Sequence, residues 1–143
     1  MILTEFRPWH ATALGPRDVE AGPELAARAN TALLGGPALT LLSKDKQIVA
    51  CFGIVLVTRC CAEAWALIGD DAKKHAKSIH GAAKWCILET HKRYGVKRLQ
   101  MTVSESRPTA GRWARRLGFE QEGPLLKRFG NNGEAYVRYV RFF

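Results

Sequence analysis

The most constraining feature of this sequence is the alternation of element types along residues 62–119. An apolar stretch around Trp65 predicts a strand, and the alternating residues 96–103 predict another. The segment between them predicts a long helix that ends at Gly95, because glycine readily adopts the left-handed conformation that closes a helix. A short helical segment follows, and Gly118 ends it just before Phe119. This order predicts a domain in which helices pack against a sheet.

The long helix has one predicted buried face. Asp70 or Asp71 is suited to cap its start, and the helix then runs to Tyr94. Apolar and small residues recur along it at spacings of three and four, which defines a single stripe that packs inward. The stripe consists of Ala72, Ala76, Ile79, Ala83, Cys86 and Thr90.

The remaining segments predict further strands and one further helix. Pro23 is suited to the first position of a helix at residues 24–34, where its missing N–H has no cost. No repeat or linker interrupts the chain, so we expect one domain over residues 1–143. The other predicted strands, of which the last two form a terminal hairpin, are residues 1–6, 38–43, 48–57, 120–129 and 135–143.

The composition is that of a folded protein with a strong positive charge. Apolar residues make up 47% of the chain and charged residues 24%, which argues against extensive disorder. The 22 Lys and Arg residues against 13 Asp and Glu residues give a net charge of +9, which attracts polyanions without specifying which.

The cysteines and apolar runs indicate a protein of a reducing compartment. The four cysteines lack the spacing of a zinc site, so we interpret them as reduced structural thiols and predict no metal site. The longest apolar run, residues 48–57, is too short to span a membrane, and the N-terminus has no signal pattern. We therefore expect a protein that is not secreted.

Three segments and the order of elements carry a resemblance to a known family. The segments are Trp65-Ala66-Leu67-Ile68-Gly69, Leu117-Gly118-Phe119 and Glu120-Gln121-Glu122-Gly123. Together they resemble the Gcn5-related N-acetyltransferase (GNAT) superfamily. The resemblance implies an α+β fold with a mixed, mostly antiparallel sheet that is flanked by helices and contains a splayed central pair of parallel strands. Within the superfamily, the chain is most similar to the small acetyltransferase-like proteins of short-tailed bacteriophages, which are associated with the virion interior or its assembly.

The resemblance implies an acetyl-CoA site between the splayed strands. In the superfamily, backbone groups of the first strand hold the pantetheine arm, and a glycine-containing turn after it wraps the pyrophosphate, because glycines let backbone N–H groups approach the phosphates. The corresponding strand residues are Ala66, Leu67 and Ile68. The corresponding turn residues, within residues 75–80, are Lys77, Ser78, Ile79 and His80. Ser78 and His80 therefore stand at the two glycine positions.

Two further observations bear on whether this site binds its cofactor. Residues 71–78 contain no glycine or proline, so the helix can begin early and replace the phosphate cradle. Asp70 and Asp71 would then occupy the positive end of the helix, where a carboxylate repels a pyrophosphate. Lysines on the same helix can supply positive charge, although a solvated basic face is the simpler interpretation.

The residues that the superfamily uses for catalysis are incomplete. Its tyrosine on the short helix, which commonly protonates the departing thiolate, corresponds to Ala114. Glu63 is the carboxylate nearest to the position of the general base, but it lies at the start of its strand, where we expect it to be exposed. Ser104 or Tyr136 can substitute as the acid, and nothing in the sequence selects either.

Basic residues on both helices predict a surface for polyanions. Lys73, Lys77 and Lys84 line one face of the long helix, and Arg112 and Arg116 belong to a second cluster on the short helix. Aromatic residues do not interleave with these charges. Any contact with DNA would therefore be to phosphates, nonspecific and sensitive to salt.

These features leave three functions open. The sequence favours a virion-associated or assembly protein with a degenerate acetyl-CoA site and other virion or assembly proteins as partners, because several requirements of catalysis fail together. The first alternative is an active N-acetyltransferase that acts on a protein lysine or a small amine, with acetyl-CoA as its cofactor. The second is a nonspecific nucleic-acid-binding module. In each case we expect the protein in the bacteriophage virion or the host cytoplasm.

Overall fold

The computed structural model describes residues 1–14 and 36–143. The helix predicted at residues 24–34, with Pro23 at its first position, lies outside these residues. A 3-10 helix, Asp70–His75, directly precedes the longest α-helix. The strands and α-helices are β1 (Ile2–Glu5), α1 (Pro8–Ala13), β2 (Ala38–Leu42), β3 (Ile48–Leu56), β4 (Cys61–Ile68), α2 (Ala76–Tyr94), β5 (Arg98–Ser104), α3 (Pro108–Arg116), β6 (Glu120–Gln121) and β7 (Tyr136–Phe142).

The described strands form a seven-stranded sheet in the order β1-β2-β3-β4-β5-β7-β6. Every neighbouring pair is antiparallel except β4 and β5, which are parallel. These two strands pair over three positions, Cys61 with Arg98, Ala62 with Leu99 and Glu63 with Gln100. The mixed, mostly antiparallel α+β fold with a splayed parallel pair is thus confirmed.

Beyond Glu63, β4 and β5 separate and leave a V-shaped gap between residues 64–68 and 101–104. The gap persists because each strand is fully paired on its other side. β4 pairs with β3 up to Ile68, and β5 pairs with β7 up to Ser104. Each half of the sheet is therefore antiparallel, with one register shift between Leu41 and Leu42 on β2. The two halves meet only at the closed end of the V-shaped gap.

Side chains of β4 alternate between the two faces of the sheet, because successive strand residues point in opposite directions. Ala64 and Ile68 pack against the core cluster that contains Ile79 of α2. Trp65 packs against the cluster that contains Ala11 of α1. The two helices therefore cover opposite faces of the sheet.

The indole of Trp65 lies over a glycine on the neighbouring strand. Gly53 is its cross-strand partner, and a Cβ atom at Gly53 would lie 2.4 Å from Cζ2 of the indole. The ring also contacts Phe6 edge to face, with 5.3 Å between the ring centroids. Glycine at position 53 thus makes room for the large side chain at the start of the V-shaped gap.

The start of the long helix differs from the prediction. Instead of an α-helix capped by Asp70 or Asp71, residues 70–75 form a 3-10 helix, and no side-chain hydrogen bond caps either helix. The carboxylate of Asp71 is engaged elsewhere, because it lies 2.8 Å from Nζ of Lys74. An aspartate that pairs with a lysine on its own turn does not cap the backbone.

The predicted stripe of α2 is largely inward-facing, with one exception. Ala72, Ile79, Ala83 and Thr90 are buried and Cys86 is half-buried, whereas Ala76 is exposed. The exception has a geometric cause, since a 3-10 helix has three residues per turn and an α-helix has 3.6. The change of helix type at Ala76 breaks the spacing on which the prediction relied.

The terminal hairpin is much shorter on its first side than predicted. β6 covers Glu120–Gln121, and after it Leu126 makes only an isolated bridge to Tyr136. Gly123 has a φ of +76°, and Pro124 has no N–H to donate to a ladder. The strand predicted at residues 120–129 is therefore wrong in extent, and β7 carries the pairing with β5.

We expect Gly53→Ala to destabilise the protein by about 1–3 kcal/mol, because the added methyl group forces the Trp65 indole out of position. Gly81→Ala is the matched control, since Gly81 lies within α2 and a Cβ atom there meets nothing within 4 Å. It should stabilise the protein by up to about 1 kcal/mol. Urea unfolding midpoints measure both changes, and equal stability of Gly53→Ala and the parent protein would contradict the packing.

Candidate functional site

The V-shaped gap opens into a cleft of about 1070 Å³. Both splayed strands line it, with Ala64 and Ala66 on β4 and Thr102 and Ser104 on β5. Side chains of α2 and α3 contribute to its wall as well. The cleft is slightly larger than the usual range for small-molecule sites, about 300–1,000 Å³.

The edge of β4 is the part of the cleft suited to an extended ligand. In the described residues, no strand pairs with residues 64–68 on the side of β5. Backbone N–H and C=O groups on such an edge bind an amide-containing chain in the way that an added strand is bound. Of the predicted cofactor-binding residues, Ala66 and Ile68 line the cleft, and Leu67 lies between them on the opposite face of the strand.

The predicted pyrophosphate turn is not brought to the cleft. Lys77, Ser78, Ile79 and His80 lie in the first turns of α2, and none of them lines the cleft. Ile79 is buried in the core. The residues 70–75 that connect β4 to α2 form a 3-10 helix that contains no glycine.

The first turn of this 3-10 helix carries two carboxylates, those of Asp70 and Asp71. Both side chains are exposed. The hydrogen bond from Lys74 is the main reason that the pKa of Asp71 lies below its ordinary value. Two negative charges therefore stand at the end of β4 where the resemblance implies a pyrophosphate, while Lys73, Lys74 and His75 follow in the last turn.

Glu63 lies at the closed end of the V-shaped gap, one residue before Ala64, and is half-buried rather than exposed as predicted. Its Oε2 accepts a hydrogen bond of 2.8 Å from Nε2 of Gln100, its partner on β5. Burial raises the pKa of Glu63, while the bond from Gln100 and the charges of Arg138 and Arg98 lower it. The net pKa is raised, which makes the carboxylate a better proton acceptor than an ordinary glutamate.

Ser104 and Tyr136 are brought together at the open end of the V-shaped gap. They are cross-strand partners on β5 and β7, and both line the cleft. The hydroxyl of Ser104 lies 2.9 Å from that of Ser106. Ser104 is four residues beyond Gln100, which is roughly 13 Å along a strand. The three catalytic candidates therefore do not form one cluster, because Glu63 stands at the closed end of the V-shaped gap and does not itself line the cleft.

Ala114 lies in the core and is only 1% exposed. Its carbonyl accepts a hydrogen bond of 3.1 Å from the N–H of Phe119. This position thus holds the closing turn of α3 and offers no proton.

The residues predicted to contact polyanions are all exposed. They are Lys73, Lys77, Lys84, Arg112 and Arg116. They lie on separate helical elements, with Lys73 on the 3-10 helix, two lysines on α2 and two arginines on α3. Exposure permits a contact with phosphates, and the contact itself stays a prediction.

The thiols, the potential metal ligands and the helices bear on other kinds of site. Burial raises the pKa of Cys51 and of Cys86 to about 11, so both are protonated thiols at neutral pH. In residues 1–14 and 36–143, no three His, Cys, Asp or Glu side chains cluster as metal ligands would. Among the helices of the same residues, none is both long and apolar enough to cross a membrane.

Sequence reasoning missed the polar residues around Glu63. Gln100 and Arg98 on β5, Glu122 after β6 and Arg138 on β7 all act on this carboxylate or on its neighbours. A signal was present, since the polar residues at even positions of β5 alternate with apolar Leu99, Met101 and Val103. That alternation predicts one polar face of the strand, although it does not name the partners.

We expect Glu63→Gln to stabilise the folded protein at neutral and alkaline pH. The pKa of Glu63 is higher in the folded protein than in the unfolded chain. Its ionisation therefore lowers the free energy of unfolding as pH rises from the pKa in the unfolded chain, about 4.3, through the pKa in the folded protein. The gain should vanish at acid pH, where the carboxyl is protonated in both states. Urea unfolding across pH measures it, and Glu5→Gln, in an exposed ion pair with Arg7, is the control without that gain.

No protein-family model and no curated protein sequence matches the chain. Solved structures do match. Spermidine N-acetyltransferase from Vibrio cholerae in complex with CoA and spermine aligns with a TM-score of 0.77 at 14% identity, covering 99% of this chain and 94% of that one. Ribosomal-protein-S5-alanine acetyltransferase from Vibrio fischeri aligns with a TM-score of 0.77 at 12% identity, over 98% and 91%.

A GNAT-family acetyltransferase from Bacillus anthracis aligns with a TM-score of 0.74 at 11% identity, over 98% of this chain and 93% of that chain. These identities are too low to carry a substrate or a mechanism from one protein to another. The structural matches cover nearly the whole chain, and they agree with the splayed parallel pair and the order of the described elements. The chain has the fold of the GNAT acetyltransferases.

Proposed function

We propose that this protein is an N-acetyltransferase that binds acetyl-CoA in the V-shaped gap and transfers the acetyl group to an amine. The observation that carries the proposal is the position of Glu63. A half-buried carboxylate with a raised pKa stands where the ladder between β4 and β5 ends. This is the reactive end of the gap if the pantetheine arm follows β4.

The length of the free edge supports that arrangement. The turn after β4, which begins at Gly69, is the phosphate end, and residues 64–68 lead from it to the closed end of the gap. Five residues of strand span roughly 17 Å, comparable with an extended pantetheine arm. The thioester then lies beside Glu63 and Gln100. The relative from Vibrio cholerae was solved with CoA and spermine, so this fold can hold both substrates.

The proposed chemistry requires one proton acceptor from the protein. Acetyl-CoA supplies the thioester carbonyl. The Glu63 carboxylate accepts a proton from the acceptor ammonium, which frees the nitrogen lone pair to form the new C–N bond as the C–S bond breaks. The nitrogen then loses a second proton to solvent, which leaves the neutral amide. Ser104 and Tyr136 are too far from Glu63 to serve the same thioester. In this proposal the thiolate therefore leaves without an acid from the protein and takes its proton from solvent.

The proposed biological setting is a short-tailed bacteriophage. It rests on the sequence resemblance alone, through residues 65–69, the lysine-rich entry to the long helix and the tail of the chain. In this setting the acceptor is a lysine of a virion or assembly protein, or a small amine in the host cytoplasm. Those virion or assembly proteins are also the proposed partners.

A second candidate is a noncatalytic protein of the same fold with a degenerate acetyl-CoA site. The 3-10 helix with Asp70 and Asp71 favours it, because two carboxylates replace the glycine turn at the phosphate end. This candidate and the first differ in whether acetyl-CoA binds at all. Both keep the V-shaped gap as a property of the fold.

We expect acetyl-CoA to bind with a micromolar dissociation constant in isothermal titration calorimetry. With a panel of amines and lysine peptides, release of free CoA thiol should depend on the acceptor. Glu63→Gln should reduce kcat about 100-fold or more, as loss of a general base does, while acetyl-CoA still binds. Absence of acetyl-CoA binding by the parent protein contradicts the proposal and supports the degenerate site. Glu5→Gln, at the far edge of the sheet, is the control that keeps activity.

We expect the double substitution Asp70→Asn and Asp71→Asn to tighten acetyl-CoA binding roughly tenfold, because it removes two charges that repel the pyrophosphate. Binding of S-acetylpantetheine, which has no pyrophosphate, should not change. Calorimetry with both ligands measures the difference. An equal effect on the two ligands would show that these carboxylates do not face the phosphates.

A further inference from the structure

We propose that Gln100, Arg98 and Glu122 are positioning residues that hold the Glu63 carboxylate in one orientation and leave its second oxygen free for the acceptor amine. The catalytic part of this inference rests on the proposed function, in which Glu63 is the general base. The structural part rests on a chain of hydrogen bonds, and it is tested separately below.

The side-chain amide of Gln100 is held from both ends. Its Nε2 donates to Oε2 of Glu63 at 2.8 Å, and its Oε1 accepts from Nε of Arg98 at 2.8 Å. A flipped amide would place its oxygen against the carboxylate and its NH₂ group against the guanidinium. Both contacts would then be repulsive. Arg98 therefore fixes which end of Gln100 faces Glu63.

Arg98 is itself held by a forked contact with Glu122. Nη1 of Arg98 donates to Oε2 of Glu122 at 2.8 Å, and Nη2 of Arg98 donates to Oε1 of Glu122. Two parallel bonds fix the plane of the guanidinium as well as its position. The pair is also evident in the pKa values, since the bond with Glu122 raises the pKa of Arg98 and lowers that of Glu122.

The sheet brings these distant residues into one row. Glu63 and Gln100 are partners in the short parallel ladder, and Arg98 precedes Gln100 by two residues, so it shares the same face of β5. Glu122 is held beside β7, because its N–H donates to the carbonyl of Arg138 at 2.9 Å. The row therefore crosses the closed end of the V-shaped gap from β4 to the segment after β6.

The charges of Arg138 and Arg98 lower the pKa of Glu63 against the effect of burial. Arg98 lies on β5, next to the strand of Glu63, and Arg138 lies on β7, one strand further away. Arg138 acts through its charge, and its buried Nε has no hydrogen-bond partner among the described residues. In the same part of the chain no donor reaches Oε1 of Glu63. This leaves one carboxylate oxygen held by Gln100 and the other open to a proton.

The test is an NMR titration of the Glu63 carboxyl carbon in the parent protein and in single variants. Gln100→Met keeps the length of the side chain but removes the donor. It should raise the apparent pKa of Glu63 by about one to two units, the equivalent of a hydrogen bond to a charged group. Arg98→Lys keeps the positive charge but loses the two parallel hydrogen bonds to Glu122. Glu122→Gln keeps the side-chain shape but weakens the same contact. Both should raise the apparent pKa of Glu63 by a smaller amount.

Glu5→Gln is the matched control for Glu122→Gln, because it removes a carboxylate of the distant strand β1 that pairs with an arginine, Arg7. It should leave the titration of Glu63 unchanged. An unchanged titration in Gln100→Met or in Arg98→Lys overturns the inference. Arg98→Lys retains the charge and most of the packing, so it keeps the test decisive if Gln100→Met does not fold.

The activity measurement separates the catalytic part from the structural part. In an active parent protein, the acidic limb of the kcat profile should move to higher pH in step with the titration of Glu63. An inactive parent protein contradicts the proposed function while the titration still decides the positioning of Glu63. A shifted titration with an unshifted kcat profile overturns the catalytic role of these residues.

Discussion

The parallel ladder between β4 and β5 stops after three residue pairs, and the candidate site depends on that stop. Each strand remains fully paired on its outer side, so the separation does not leave either of them loose. The gap exposes a free edge of β4, and the closed end of the same gap brings Glu63 against Gln100. A continuous ladder would satisfy the edge of β4 with β5 and leave no room for a ligand.

The two ends of this gap have different chemistry. At the closed end, a half-buried carboxylate is held by an ordered row of polar side chains. At the open end, the 3-10 helix presents Asp70 and Asp71 where a pyrophosphate would lie. The closed end favours a working acetyltransferase, and the open end favours a degenerate site. Which of the two applies depends on how much of the affinity for acetyl-CoA comes from the edge of β4. That edge recognises the pantetheine arm and not the phosphates.

Local patterns in the sequence predicted the elements whose signals are themselves local. The strand around Trp65, the helix end at Gly95 and the short helix that ends before Phe119 are all present, with Gly95 at a φ of +65°. The predicted cap failed because Asp71 pairs with Lys74 instead of the backbone. Propensity cannot reveal that competition, since both arrangements use the same residues.

The environment of Glu63 could not be predicted in the same way. Its hydrogen-bond partner Gln100 is 37 residues away, and parallel pairing brings the two together. Burial of a carboxylate depends on the register of that pairing, because a shift of one residue would turn the side chain to the other face. The splay itself was expected from the resemblance alone, since no local pattern marks the point where a ladder ends.

The central claim is that the free edge of β4 binds the pantetheine arm. Amide hydrogen exchange of residues 64–68, measured by NMR with and without acetyl-CoA, tests it most directly. The account predicts slower exchange for amides of this segment when acetyl-CoA is present, with little change along β1 and β2. Exchange at residues 64–68 that is the same with and without saturating acetyl-CoA would contradict it.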